Sequence, residues 1–330
     1  MKKTLIALAA VAATSASFAQ STVTLSGTVD TGLEKRFSGD PMRMTSNRNG
    51  TSNWTLSGAE DLGGGLKAVF QVSTSFNTDD GTVTTANGLG NNGMFVGLTG
   101  GFGTLRAGRP VNTLFGNAMF ANGTKGVSLH DSNTVLSGLV ANAGNSVYVA
   151  NALQYHTPRF AGFQVQLEYA PSEVAGADAG TGIAVRYDGG PLSASITSYT
   201  GAGTVGTPAT LSPKSVTQLA AAYDFSVAKL FFTYRDQSGL ASNADTGYAI
   251  GATAPVGPGS LYVSYNVREQ AASDGRTIIG GYKYLLSKRT SAYFNVARRN
   301  AAWQGAAVTA AGGTGTESST GYGIGLTHTF

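Results

Sequence analysis

The chain is organised by a two-residue alternation of apolar and polar positions. Val23, Leu25, Gly27 and Val29 share one phase, and Thr24, Ser26, Thr28 and Asp30 the other. Leu66, Ala68, Phe70 and Val72 alternate with Lys67, Val69, Gln71 and Ser73. Phe163, Val165, Leu167 and Tyr169 alternate with Gln164, Gln166 and Glu168. The pattern returns at Ile183 to Asp188, at Leu261 to Arg268 and at Tyr322 to Phe330. This period is that of half-buried strands, and no segment beyond residue 20 shows a 3.6-residue period.

The connections between these segments are of two kinds, which alternate. Short ones stand at Asp61 to Gly65, Gly100-Gly101, Pro158 to Gly162, Asp188 to Gly190, Asp224 to Ser226, Pro255 to Gly259 and Leu286 to Lys288. Long ones stand near 37–50, 77–91, 110–147, 171–180, 201–214, 237–245, 269–275 and 299–318. In an up-and-down meander each kind falls on one end. About 16 strands of about 10 residues follow, the pattern of a bacterial outer-membrane barrel. The fold class predicted is all-β: a 16-stranded antiparallel transmembrane β-barrel with an inward-folded third loop. A secreted β-sandwich or β-helix would also alternate, but would not produce the two-sided rhythm of loop lengths.

A barrel of this size is too wide for its side chains to fill. A long structureless segment is uncommon in a compact domain unless it has a function. The loop at about 110–147 is the longest, and it is expected to fold inward and narrow the channel.

Residues 1–19 stand apart. Lys2 and Lys3 precede an apolar run, Leu5 to Ala13, and Ser17-Phe18-Ala19 has the small-x-small form of a cleavage site. They read as a signal peptide, leaving a barrel over 20–330. Its removal takes two lysines and lowers the formal charge from +4 to +2. With no Lys/Arg block, nothing points to nucleic acid.

Composition agrees with a barrel. Charged residues make up 12% and hydrophobic residues 42%, yet no later window is apolar enough for a membrane helix. There are 46 glycines and no cysteines, so stability must come from a large core or a closed sheet.

Gly63-Gly64-Gly65 lacks the lysine and helix of a phosphate loop. His130, His156 and His328 lack metal-ligand spacing. No Ser/His or Asp/His signature points to an enzyme. No cofactor and no metal are expected.

The sequence resembles the Gram-negative general diffusion porins, specifically the β-proteobacterial type. The resemblance rests on Val23 to Gly27, Gly58 to Ala68, Phe95 to Leu98 through Gly108-Arg109, and Tyr155 to Pro158 with Phe160 to Phe163. It extends through Asp188 to Leu192, Tyr282 to Arg289 and Thr327 to Phe330. It implies a homotrimer in the outer membrane, in contact with lipid and lipopolysaccharide. It implies passive diffusion of small solutes and ions, and constriction by the third long loop. Phe330 resembles the family's assembly signal, read by the barrel-assembly machinery.

The resemblance also implies an eyelet in which arginines face acids. Here Asn53, Asn92 and Tyr148 stand where the second, fourth and sixth strands usually bear arginine. Lys125, His130 and Asp131 are the charged or titratable candidates on the loop. A weakly charged eyelet, and hence a substrate-selective porin, is the alternative; an adhesin or antigen role of the long loops is another. Thr28, Asp30, Arg186, Arg235, Arg268 and Arg276 fall on the polar phase and are expected to line the lumen wall. Arg298 and Arg299 are placed at the mouth of the last loop. Arg109 matches an arginine at the family's trimer contact, with Asp79 and Asp80 as possible partners across it.

Overall fold

A computed structural model describes residues 22–35, 40–83, 88–121, 147–173, 175, 178–201, 215–238, 246–269, 274–300 and 319–330. Residues 1–19, read above as a signal peptide, and Lys125, His130 and Asp131 lie outside the described residues. Seventeen strands and one helix are described. The first five strands are β1 (Thr22–Lys35), β2 (Arg43–Ser46), β3 (Asn53–Gly63), β4 (Leu66–Ser75) and β5 (Met94–Gly100). They are followed by β6 (Gly103–Arg109), the helix α1 (Thr113–Ala121), β7 (Ala152–His156), β8 (Phe163–Ala170) and β9 (Gly180–Gly189). Next come β10 (Leu192–Thr200), β11 (Ser215–Asp224), β12 (Lys229–Ser238) and β13 (Thr246–Val256). The sheet ends with β14 (Gly259–Glu269), β15 (Gly275–Leu285), β16 (Thr290–Arg299) and β17 (Ser319–Thr329).

All pairings are antiparallel between neighbours, and β1 pairs with β17, so the sheet closes. Phe330 completes the seam: its N–H donates to the Gly27 carbonyl and the Gly27 N–H donates back, both at 3.1 Å. Closure leaves no unpaired edge, the condition for a sheet in hydrocarbon.

The predicted sixteen strands are present, with one qualification. The second is broken into β2 and β3, both of which pair with β1. Ser46 stands opposite Thr31 and Asn53 opposite Thr28. Residues 47–52 therefore face only Val29 and Asp30, so the strand carries a four-residue excursion. Asn47, at φ 65°, turns the chain out of the ladder. The sequence reading places 37–50 in the first long loop, so it shows neither β2 nor the break between β2 and β3.

The alternation does give the two faces. Val23, Leu25, Val96, Ile183, Ile196, Leu219, Ile250, Leu261 and Ile324 are exposed and face outward. Ser73, Gln154, Gln166, Thr197, Gln218, Thr233, Ser264, Asn266 and Asn295 face inward and are buried. Tyr169, Tyr187, Tyr223 and Phe330 stand near strand ends, as interfacial aromatics do. Tyr234 and Tyr265 are on the outward phase but lie mid-strand.

Many glycines seat an aromatic ring from the next strand. A Cβ at Gly281 would run into the Tyr262 hydroxyl, one at Gly325 into that of Tyr293, and one at Gly27 into the Phe330 ring. The ring fills the space a side chain would have taken, which fixes register as well as packing.

Candidate functional site

The lumen is narrowed from two opposite walls. The first element is the start of the third long loop. Its base is tied together: Asn112 N–H donates to the Val147 carbonyl at 2.8 Å and Val149 N–H to the Pro110 carbonyl at 3.1 Å. Between them α1 packs on the inner faces of β9, β10 and β11. The described part of the loop thus folds inward as the sequence reading expects, but as a helix where that reading saw no helical period.

The reason is that the wall makes this helix. Asn112 Oδ1 accepts the Leu114 N–H at 2.7 Å and caps the first turn. The Glu168 carboxylate, from β8, accepts the Thr113 N–H and the Thr113 hydroxyl, both at 2.8 Å. A negative group there also suits the helix dipole. Leu114 is buried against Tyr199 and Val216. Asn117 Nδ2 donates to Gln166 Oε1 at 2.8 Å, and Gln218 Nε2 donates to the Leu114 carbonyl at 3.0 Å. These are tertiary contacts, invisible to a period count.

The second narrowing element is the excursion at 47–52, which the sequence reading missed. It lies over inward-facing residues of β1, β16 and β17. Asn49 Nδ2 donates to Thr327 Oγ1 at 2.8 Å, and a Cβ at Gly50 would lie in ordinary contact with the Thr28 and Thr327 methyls. Its anchor is Asp30, which is fully buried. That carboxylate accepts the N–H of Arg48 at 2.6 Å and of Asn49 at 3.2 Å. It also accepts the hydroxyls of Tyr293 at 3.2 Å and Thr327 at 2.6 Å. Arg48 reaches back along β1 to Glu34 through two bonds of 2.7 and 2.8 Å. Asp30 and Thr28 face inward as expected, but beneath the excursion and not as open wall.

The two elements face each other. β1 and β10 are eight steps apart around a ring of sixteen. Each insert is held by one wall carboxylate that accepts backbone N–H groups and a tyrosine hydroxyl: Asp30 with Tyr293, and Glu168 with Tyr199.

Two of the three positions at which the resemblance leads to an expectation of arginine, Asn92 and Tyr148, meet directly. The Tyr148 hydroxyl donates to Asn92 Oδ1 at 2.6 Å, and Asn92 Nδ2 donates to Ser73 Oγ at 2.9 Å. Burial pushes the Tyr148 hydroxyl up to about 12, against the pull of the Arg109 charge. Asn53 is elsewhere, at the start of β3, with its amide donating to the Thr51 carbonyl at 2.7 Å.

Arg109 lies over the Tyr148 ring at 5.2 Å and donates to the Asn91 carbonyl at 2.7 Å. Its register partner, Met94, belongs to the outward set. Gly108, at φ +139°, supplies the backbone turn that a side chain would resist. Asp80 accepts the Thr82 N–H and hydroxyl, which hold its carboxyl below the usual range, and Asp79 accepts from Ser46. Both are engaged within their own chain.

The predicted wall arginines divide. Arg186 and Arg268 face inward and are half-buried. Arg235 faces inward but is 1% exposed, and donates to Gln218 Oε1 at 2.7 and 3.1 Å. Arg276 is not a wall residue: it shares the phase of Ile278, sits at the strand end and pairs with Asp274 at 3.1 Å. Arg298 shares that outward phase, whereas Arg299 is buried. Arg106 was missed. It lies on the inward phase of β6, a strand whose glycines obscure the alternation, with its guanidinium 4.8 Å from the Phe95 ring.

Comparison with known proteins agrees with this architecture. The family model of the Gram-negative porins matches residues 5–302. The chain is 36% identical to the outer membrane porin protein 32 of Delftia acidovorans over the whole of both chains. It is 28% identical to an outer membrane porin protein of Bordetella pertussis, over 89% of this chain and 93% of that one. Among solved structures it is similar to an anion-selective porin from Comamonas acidovorans, with a TM-score of 0.76 and 29% identity over 94% and 100% of the two chains. An outer-membrane protein of Vibrio cholerae, OmpT, shares the fold at 15% identity and a TM-score of 0.64, over 94% and 98%. A closed sixteen-strand barrel with an inward-folded third loop, and a match over nearly its whole length, place the chain in one family: it is a Gram-negative porin, an integral β-barrel channel of the outer membrane.

Proposed function

We propose that this porin passes small hydrophilic solutes with a preference for anions. One observation carries the reading. The acids that face inward from the described strands accept hydrogen bonds or pair with arginine, and Arg106, Arg186 and Arg268 add guanidinium groups to the inner wall. Glu34 is paired with Arg48, and Asp188 with Arg159 at 3.0 Å. Asp30 and Glu168 sit inside cages of donors, and Asp61 accepts the N–H of Gly63 at the turn. A permeating ion therefore meets guanidinium groups more than open carboxylates. In a narrow pore with low-dielectric walls such charges act strongly. The anion selectivity named for the Comamonas acidovorans porin supports the same reading.

Reversal potential in a KCl gradient tests it. The sign expected is that of chloride passing more readily than potassium; a potassium preference would refute it.

The neutral Asn92–Tyr148 pair supports a weaker transverse field at that part of the wall than an arginine there would give. The charge is supplied instead from β6, β9 and β14. A homotrimer is the proposed assembly, with Arg109 near the contact, and the pairing of Arg109 with outward-facing Met94 supports that place. Chemical cross-linking in detergent should give a three-chain species.

A further inference from the structure

We propose that the outer wall of the barrel carries a seat for one acyl chain of an inner-leaflet phospholipid, over Ala194 and Ala221 near the short-turn end. The inference rests on the membrane-spanning barrel and is independent of the ion preference.

The seat is a gap among the outward-facing side chains. Ala194 of β10 stands directly opposite Ala221 of β11. In the same row Tyr187 flanks Ala194 and Phe232 flanks Ala221. Ile196 and Leu219, paired with each other, bound the gap on the side of the long loops, and Leu192 and Tyr223 bound it on the side of the short turns. The result is a hollow of about 500 Å³ over the two alanines. A second hollow of about 250 Å³ adjoins it, sharing Ala221 and Phe232 and reaching Leu230 and Ile250.

Two aromatic pairs keep the hollow open. Tyr187 stands beside Ala194 in register, yet its ring turns towards the short turns. It packs on Phe163 with centroids 4.8 Å apart, and it lies over Gly162 and Gly189, where a Cβ would run into it. Tyr223 packs on Phe225 with centroids 4.6 Å apart. Rings held by such partners do not swing in to cover the alanines.

Place and lining select the occupant. A wall in hydrocarbon does not keep an open hollow, because atoms facing a void lose their dispersion contacts. No charged residue lines either hollow, so the ligand is held by its hydrocarbon and not by its headgroup. A chain over Ala194 and Ala221 meets Tyr187 and Phe232 on its flanks as well as the wall beneath. The short turns of outer-membrane barrels face the periplasm. The chain that reaches this level therefore comes from the inner leaflet, which is made of phospholipid. β10 and β11 lie four and five strands beyond β6, which bears Arg109 at the proposed subunit contact, so this face is turned to lipid.

The test counts phospholipid retained by the folded protein, by native mass spectrometry, as palmitoyl-oleoyl-phosphatidylethanolamine is added at fixed detergent. One lipid per chain is expected to bind more tightly than the rest. Ala221→Leu fills the floor with a side chain that the outward phase carries elsewhere, and it should weaken that binding by about tenfold. Ala194→Leu should do the same. Ala292→Leu, on the outward phase of β16 opposite Leu326, should leave it unchanged. Each variant is first shown to fold by its heat-dependent gel mobility. Undiminished binding in both Ala194→Leu and Ala221→Leu would overturn the seat. Equal loss in Ala292→Leu would also overturn it, because it would mean an annulus of lipid without a site. Displacement of the phospholipid by lipopolysaccharide would overturn the assignment to the inner leaflet. Loss of a multi-chain species in Ala221→Leu would mean that this face meets a second copy, and would overturn the lipid as its occupant.

Discussion

The Glu168 carboxylate accepts the backbone N–H of Thr113 at 2.8 Å, joining the wall of the barrel to the first turn of the helix inside it. The same oxygen accepts the Thr113 hydroxyl and the Gln154 amide at 2.7 Å. Glu168→Ala leaves these buried donors without their acceptor, at about 1–3 kcal/mol for each such group. The helix should then leave its seat intermittently. Single-channel records should show excess noise and sub-states that are absent in wild type, with Glu168→Gln giving a milder form.

Asp30 holds the opposite insert and gathers more donors. Asp30→Ala strands the N–H groups of Arg48 and Asn49 and the hydroxyls of Tyr293 and Thr327. A loss of about 3 kcal/mol or more is expected. The temperature at which the folded form is lost on gels should fall clearly. Tyr293→Phe removes a single donor and should cost about 1 kcal/mol.

Tyr148 gives a pH signature. Its hydroxyl is held up to about 12, whereas a tyrosine in the unfolded chain ionises near 10. Between those values the folded chain binds more protons than the unfolded one, so the stability from this group falls as pH rises. It is fully present below about pH 10 and lost above about pH 12. Absorbance titration of wild type against Tyr148→Phe should show one tyrosine fewer ionising late. The variant should lack the corresponding fall in stability.

Gly281 tests the seating of rings over glycines. Gly281→Ala places a methyl against the Tyr262 hydroxyl and the Phe294 carbonyl. A destabilisation of about 1–3 kcal/mol is expected from overpacking, read by urea unfolding. Gly64→Ala, with open space around it, should show only the strain of its positive φ.

The fold was legible because a barrel in lipid has to write itself into alternation: each strand shows one face to hydrocarbon and the other to water. Ile183 and Arg186 could be assigned to opposite faces from their phase alone. What the sequence hid was tertiary in origin. α1 has no period because one wall supplies its contacts, through Leu114 and Glu168. The excursion at 47–52 is hidden because Asn47 and Gly50 look like any polar strand residue or loop. The inward phase of Arg186 and Arg268 was readable. Arg106 was passed over because Gly103 and Gly108 flank it. That Asp30 and Glu168 serve as anchors depends on which backbone groups come to them, and no spacing along the chain announces that.

The central claim is that two inserts on opposite walls set the width of the pore. The most direct measurement is the size of the largest neutral polymer that enters the channel and lowers its conductance, compared between wild type and a variant lacking residues 48–51. That deletion removes the four surplus residues and lets β2 run into β3 as one strand. If the excursion narrows the lumen, the variant admits a larger polymer and conducts more. An unchanged size limit, in a barrel shown to be folded, would contradict the account.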